Sequence, residues 1–373
     1  MLDVLRWTLH FFLAVSQNEN EAKQKIPTSQ MGHYTYQQTL ACDTIPCRID
    51  AFLAGQLSLS RTNIQKAIAA GVVLVNQRVV SACYLVQPND VIAAQLPLAH
   101  AATTLVPEPI PLSIVYDDSS LLVLYKPASM VVHPDNVHRS GTLAHALAHW
   151  YDNLPLKDGC ATRPGLVHRL DKGTSGLLLV AKTPESMACL EQQFYHHTVQ
   201  RTYYALVWGT PALDEGTIDL PLRKSTAYRQ GLHVFPDPVQ GKRAVTHYQV
   251  LYRLDHVSLV ACRLETGRTH QIRVHMQQLG HPLFGDPLYG GRTIASGQAF
   301  ASYKAFVQNC FKIMPYQALH AATLGFQHPI TNRFCTFTAP FPANFAQLLE
   351  KWKRYMGLPQ DCFKQLEGFM PTS

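Results

Sequence analysis

Residues 165–183, GLVHRLDKGTSGLLLVAKT, decide how the rest of the chain is read. Leu177 to Ala181 is an unbroken apolar run with glycine just before it, which suits a buried strand better than a short helix. Asp171 therefore falls in the loop that enters this strand. Gly173 and Gly176 let the loop turn tightly and bring backbone close to a ligand, while Arg169, His168 and Lys172 set positive charge beside the acid. Such a loop can present a carboxylate to an anionic substrate; the plainer reading is a surface hairpin carrying an Arg–Asp pair.

Around this stretch, short apolar or alternating runs recur: SIVYDDSSLLVLY, YYALVWG, THYQVLYRL, HVSLVACRL and RFCTFTA, with helical patterns at 143–151 and 186–196. Strands joined by short turns with interspersed helices predict an α+β domain on a mostly antiparallel sheet. A chain of 373 residues, 47% hydrophobic and 15% charged, is long enough for two folded units and is neither disordered nor collagen-like. The balance of 32 basic against 25 acidic residues gives +7, compatible with nucleic acid without being diagnostic of it. Nine cysteines form no CxxC pair, so free thiols in a reducing cytoplasm are expected rather than a zinc ribbon or a disulfide framework.

Residues 1–30 open with MLDVLRWTLHFFLAVS, an apolar run too short to span a membrane; Asp3 and the weak positive charge argue against a signal peptide. An amphipathic appendage, or sequence upstream of a start at Met31, fits better. From Arg48 the pattern changes. Ile49, Phe52, Leu53 and Leu57 recur at helical spacing, Ser60 can cap a second helix from Arg61 to Ala70, and Gly71 stops it. VVLV and RVV, on either side of Asn76 and Gln77, read as a hairpin, and Arg48, Arg61, Lys66 and Arg78 are available for phosphates. Pro97, Pro107, Pro109 and Pro111 mark a linker. The expected layout is an extension (1–45), a small α/β domain (46–95), a linker (96–111), a main domain (112–350) and a helix end with a loose tail (351–373).

HRLDKGTSG resembles the catalytic loop of the RluA-type pseudouridine synthases, with Asp171 in the nucleophile position. LLVLYKPASMVVHP (121–134) resembles that family's first motif, with Ser129 where Gly is frequent, and RTYYALVWG (201–209) resembles its tyrosine strand. LETGRTHQIRVHMQQLGHPLFGDPLYGG (264–291) resembles its arginine motif, and the LHA of 319–321 matches as well. The two helices and hairpin that precede resemble the small RNA-binding domain named for ribosomal protein S-four. The resemblance implies a mixed sheet with its cleft across the middle, and an isomerase that breaks the bond from uracil N1 to ribose, turns the base and rejoins it through C5. It implies a flipped-out nucleotide, Asp171 at the sugar, Tyr203 against the base with its hydroxyl at the C5 proton, and Arg273 orienting the acid. Ile272 would line the base pocket, and Arg169, with His168 beside it, would open the stack or hold phosphate. Tyr204 points to the opposite face of its strand, and Arg273 is read as a strand residue.

No metal or cofactor is expected. His270, His275 and His281 match no zinc spacing, Ser175 with His168 lacks a nucleophile elbow, and a glycoside hydrolase would need a second placed carboxylate. The expected partner is RNA, by analogy large-subunit ribosomal RNA or a pre-ribosomal particle, in the cytoplasm, without a membrane or a stable protein partner. A transfer-RNA synthase and a non-catalytic assembly factor are the alternatives. Asp171, Tyr203 and Arg273 standing together argue against the latter.

Overall fold

The computed structural model describes residues 33–40, 46–97 and 105–370, apart from breaks at 58, 60, 136, 157–161, 225–230, 235–240, 298–299 and 360. The chain divides into two compact units between Thr103 and Thr104. In the first, β1 (His33–Thr39), α1 (Ile49–Gln56), α2 (Arg61–Ala69), β2 (Val73–Val75), β3 (Arg78–Val79) and β4 (Val91–Pro97) follow in order. The strands form an antiparallel sheet in the order β1-β4-β2-β3. Ile49 and Leu53 from α1, Ile64 and Ile68 from α2, and Val73, Val75 and Ile92 from the strands build its core. Asn76 and Gln77 both take positive φ, 49° and 62°, as a two-residue hairpin turn of this hand requires. Ser60, read as a helix cap, and residues 1–30 lie outside the described residues. β1 comes from the stretch taken for an extension, and it pairs with β4 along its whole length.

The second unit runs β5 (Ser113–Asp117), β6 (Leu121–Lys126), α3 (Leu143–Trp150), β7 (Ser175–Ala181), α4 (Pro184–Tyr195), β8 (Gln200–Trp208), β9 (Glu215–Asp219), β10 (Leu222–Lys224), β11 (Leu232–Val234), β12 (Val245–Leu254) and β13 (Val257–Leu264). It continues with α5 (Gln271–Gln278), α6 (Ala301–Ile313), β14 (Leu319–Gln327), β15 (Phe334–Thr338), α7 (Ala343–Tyr355) and a 3-10 helix, Lys364–Phe369. The main sheet has the order β5-β6-β7-β14-β8-β13-β12-β9, with β15 added on β14. Among the described residues β7 with β14 is its one parallel pairing. The fold is thus α+β with a mixed, mostly antiparallel sheet.

Strand β7 is buried at all seven positions. Leu177 and Leu179 pack with Leu121 and Val123 of β6 and with Leu190 of α4, while Leu178 and Val180 pack with Leu122, Leu124 and Leu147 on the other side. A two-residue period buried on both faces reads in sequence as a continuous apolar run. Each such side chain contributes about 1.5–3 kcal/mol when fully buried. Gly176, at the parallel contact, has φ 119°, and a Cβ there would run into the carbonyl of Ala321. Gly176→Ala should therefore destabilise the protein by about 3 kcal/mol or more through backbone strain and clash. A thermal melt checks this, and an unchanged midpoint would show that β14 moves aside freely.

The end of the chain departs from the expected loose tail. Phe363 and Leu366 are buried in an aromatic cluster with Trp208, Phe284 and Trp352, and the Phe369 ring lies 5.0 Å from that of Tyr204. Apolar residues every three or four positions find a core there, although the segment is too short to show a clear helical period. No helix among the described residues is long and apolar enough to cross a membrane.

Candidate active site

The loop before β7 is held from several sides. The Thr174 amide donates to the Asp171 carbonyl at 3.0 Å, closing the turn, and the Gln317 side chain donates to Thr174 Oγ1 at 3.1 Å. Gly173 presses so closely on Tyr316 and Gln317 that any Cβ would collide with them. Beneath lies Lys126, fully buried, whose Nζ donates to the carbonyls of Pro127 and Met130, both at 2.8 Å, and reaches that of Lys172 at 3.5 Å. Burial pulls this ammonium down to about 7, and the charge of Asp171 pulls the other way. The first motif thus clamps the acidic loop from below.

Arg273 is not on a strand. It sits in the first turn of α5, which starts at His270 in the left-handed conformation, φ 55°. Gln271 fixes this entry by accepting from the Thr266 hydroxyl at 2.7 Å and from the Arg268 amide at 3.0 Å. Polar side chains committed to such local bonds leave no apolar period in GRTHQIR, so the helix start is hidden in the sequence. The Arg273 guanidinium forks onto Asp286, Nε to Oδ2 at 2.7 Å and Nη2 to Oδ1 at 3.0 Å, and its Nη1 donates to Asp171 Oδ2 at 3.1 Å. Burial disfavours its charge, but Asp286 first and then Asp171 outweigh that and raise its pKa. Asp286, wholly buried, also accepts the amides of Leu288 and Tyr289. Asp171 keeps Oδ1 without a hydrogen bond among the described residues.

A second chain of bonds reaches Asp171. The Leu232 amide donates to the Tyr289 hydroxyl at 2.9 Å, that hydroxyl and His270 Nδ1 share a hydrogen bond of 2.9 Å, and His270 Nε2 lies 3.8 Å from Asp171 Oδ2. Burial lowers the His270 pKa, partly offset by Asp171.

Asp171, Arg273, Tyr203, Ile272, His168 and Arg169 all line one cleft of about 990 Å³ over the middle of the sheet. Tyr203 is 7% exposed, and burial raises its pKa, so its phenol keeps its proton at neutral pH. Tyr204 faces the other way, against Phe341 and Phe369, as strand alternation requires. Arg169 is exposed at the mouth and donates to His133 at 3.2 Å. His168 lines the cleft but is built into its wall: its ring stacks on Phe194 at 4.8 Å and its Nε2 accepts the Leu179 amide at 2.8 Å.

Burial pushes His168 down to about 3 and His320, which accepts the Ser175 hydroxyl at 2.9 Å, down to about 4. Both fold in the neutral form and take up protons more readily once unfolded, below about pH 6.5. Their contribution to stability is full above that pH and is lost as pH falls towards 4 and then 3. Denaturant titrations at pH 7, 5.5 and 4.5 should show a declining midpoint, and His320→Gln should flatten the decline.

The phosphate-binding residues expected in the first unit divide into two pairs. Arg48 and Arg61 converge on the buried carboxylate of Asp50, at 3.0 and 3.1 Å, joined by Gln65. Arg48 foremost, despite the opposing effect of burial, holds Asp50 below the usual carboxylate range. These two arginines thus hold the helices together. Lys66 and Arg78 stand exposed. Among the described residues no group of three or more His, Cys, Asp or Glu could hold a metal ion.

Asp171 is thus paired with Arg273 in a cleft large enough for a nucleotide, and the first unit, described by itself, carries exposed Lys66 and Arg78. The sequence pattern of RNA pseudouridylate synthases matches residues 120–278, and that of the S4 domain matches residues 47–92. An uncharacterized RNA pseudouridine synthase of Bacillus subtilis is 43% identical over 308 residues, covering 82% of this chain and 94% of the relative. The ribosomal large subunit pseudouridine synthase D of Zymomonas mobilis is 42% identical over 320 residues, covering 85% and 97%. RNA pseudouridine synthase 2, chloroplastic, of Arabidopsis thaliana is 34% identical over 351 residues, covering 82% and 80%. The chain belongs to the RNA pseudouridylate synthase family and is an isomerase of uridine in RNA.

Proposed function

We propose that the substrate is large-subunit ribosomal RNA, free or in a pre-ribosomal particle in the cytoplasm, and that Asp171 is the carboxylate that meets the sugar. The observation that carries this is the division of Asp171 into a held oxygen and an open one. Arg273 fixes Oδ2 at 3.1 Å, and Oδ1 has no hydrogen bond among the described residues on a side chain that lines the cleft. When the N1 to C1′ bond of uridine breaks, positive character grows on C1′, and a carboxylate there stabilises it or bonds to it. The uracil turns, C5 takes the place of N1 on C1′, C5 gives up a proton and N1 gains one, so atoms balance without water or cofactor. Tyr203, a neutral phenol, supplies the face on which the turned base rests. Ile272 closes the apolar side.

Ribosomal RNA as the target follows from the relatives named for that substrate, and the S4 unit fits a structured RNA. The test is a pseudouridine map of ribosomal and transfer RNA from cells with the gene, without it, and with an Asp171→Asn copy restored. Loss of defined ribosomal sites that only the wild-type gene restores is the expected result; loss confined to transfer RNA would replace the substrate. Changing both Lys66 and Arg78 to Ala should weaken binding to a ribosomal RNA transcript and flatten the slope of log affinity against log salt by about two. An unchanged slope would remove these two from the phosphate contacts.

A further inference from the structure

Arg201 lies on β8 two positions before Tyr203, so both side chains project to the cleft side of the strand. It is 8% exposed, and its Nε is buried without a hydrogen-bond partner. Four arginines line the cleft. Arg273 has two carboxylates, Arg268 donates to the Arg243 carbonyl and Arg169 to His133. Arg201 alone has neither a hydrogen bond nor an ion pair among the described residues. Its guanidinium lies 5.3 Å from the Phe194 ring centre, and at Gly267 a Cβ would come within 2.8 Å of Nη1. The chain therefore leaves room for this group and shields it, yet among the described residues no carboxylate forms an ion pair with it, although Glu191 lines the same cleft.

Burying a cation unpaired is among the costliest arrangements a fold can hold, and it persists where something outside the fold supplies the missing charge. We propose that Arg201 is the phosphate seat of the cleft, taking the phosphodiester next to the uridine whose base lies on Tyr203. This rests on the reading of the cleft as the uridine site. A uracil carbonyl is neutral and would leave the charge uncompensated, whereas a phosphate matches the guanidinium in charge and accepts its N–H groups in pairs. Two residues of strand span roughly 7 Å, about the reach from a base to its own phosphate.

The experiment uses the full chain and an unmodified large-subunit ribosomal RNA transcript, with Arg201→Met and Arg201→Lys beside wild type. Wild type is assayed first for pseudouridine; failure there would overturn the substrate reading, while the binding arms still judge Arg201. For Arg201→Met, KM should rise about tenfold or more with kcat within about threefold, and the salt slope of binding should flatten by about one. Arg201→Lys should restore the slope and only part of the affinity, because an ammonium lacks the planar fork. Equal slopes for wild type and Arg201→Met, or a fall in kcat at unchanged KM, would overturn the proposal. Should Arg201→Met not fold, short target RNAs with a neutral methylphosphonate at each linkage in turn carry the test. One linkage beside the target uridine should weaken wild type more than it weakens Arg201→Lys. Equal penalties at every linkage, or equal penalties in both proteins, would overturn it.

Discussion

Asp171→Asn should fold, bind RNA as tightly as wild type or slightly more tightly, and lose at least about 10³-fold in turnover. The amide oxygen of Asn can still accept Nη1 of Arg273, and Arg273 keeps its bidentate partner Asp286, so no buried charge is stranded. Removing one negative charge from a cleft that receives a polyanion cannot weaken the electrostatic attraction. What is lost is the formal charge that answers the developing positive sugar. Single-turnover assays with labelled RNA, alongside a thermal melt and a filter-binding curve, separate these effects. Turnover near wild type would remove Asp171 from the chemistry, and a collapsed melt would show that its charge serves the fold.

The second large effect is expected at Asp286. Asp286→Ala takes the bidentate acceptor from a guanidinium that is 6% exposed and frees the amides of Leu288 and Tyr289. Breaking a buried pair from one side costs about 3–5 kcal/mol. Activity should fall with it, because Arg273 then has no fixed orientation from which to aim Asp171. Arg273→Met on the same background should recover much of the stability, since an unpaired buried charge is removed, yet should recover no activity. Denaturant melts and initial rates on the two single variants and the double check this. Additive losses of stability would mean that the two side chains are not coupled, contrary to their 2.7 and 3.0 Å contacts.

The parts of this molecule that were plain in sequence are those where one residue's type settles its surroundings. LLLVA reads as a buried strand and is covered on both sides; Gly173 and Gly176 read as bringing backbone close to a ligand, whereas the close approach the structure shows is to Tyr316, Gln317 and Ala321 of the same chain. The Tyr203 and Tyr204 pair separates onto two faces by strand geometry alone. Asp286 and Tyr289 stood in a quoted motif, but nothing local in FGDPLYGG reveals a guanidinium 13 positions upstream. Arg201 was hidden for the opposite reason, since its significance is a missing partner, and only the folded arrangement reveals that. Arg48 and Arg61 read as phosphate ligands, and their grip on Asp50 was not legible because surface cations and the holders of a buried carboxylate have the same letters. Asp50 between them was the one available sign.

The position of β14 bears on how the enzyme comes into being. This strand, which begins at Leu319, lies between β7 and β8 and bonds to both. Ser175 and His320, which meet beside the acidic loop, are 145 residues apart, and Asp171 and Arg273 are 102 apart. Contacts so distant along the chain are slow to form, because the loops they close cost entropy before any packing offsets it. During synthesis β7 and β8 emerge with a gap between them that only a late segment can fill. A nascent chain stalled before Leu319 would hold every side chain that lines the rest of the cleft and still lack the wedge that sets them at working distance, so activity is expected only with the last seventh of translation.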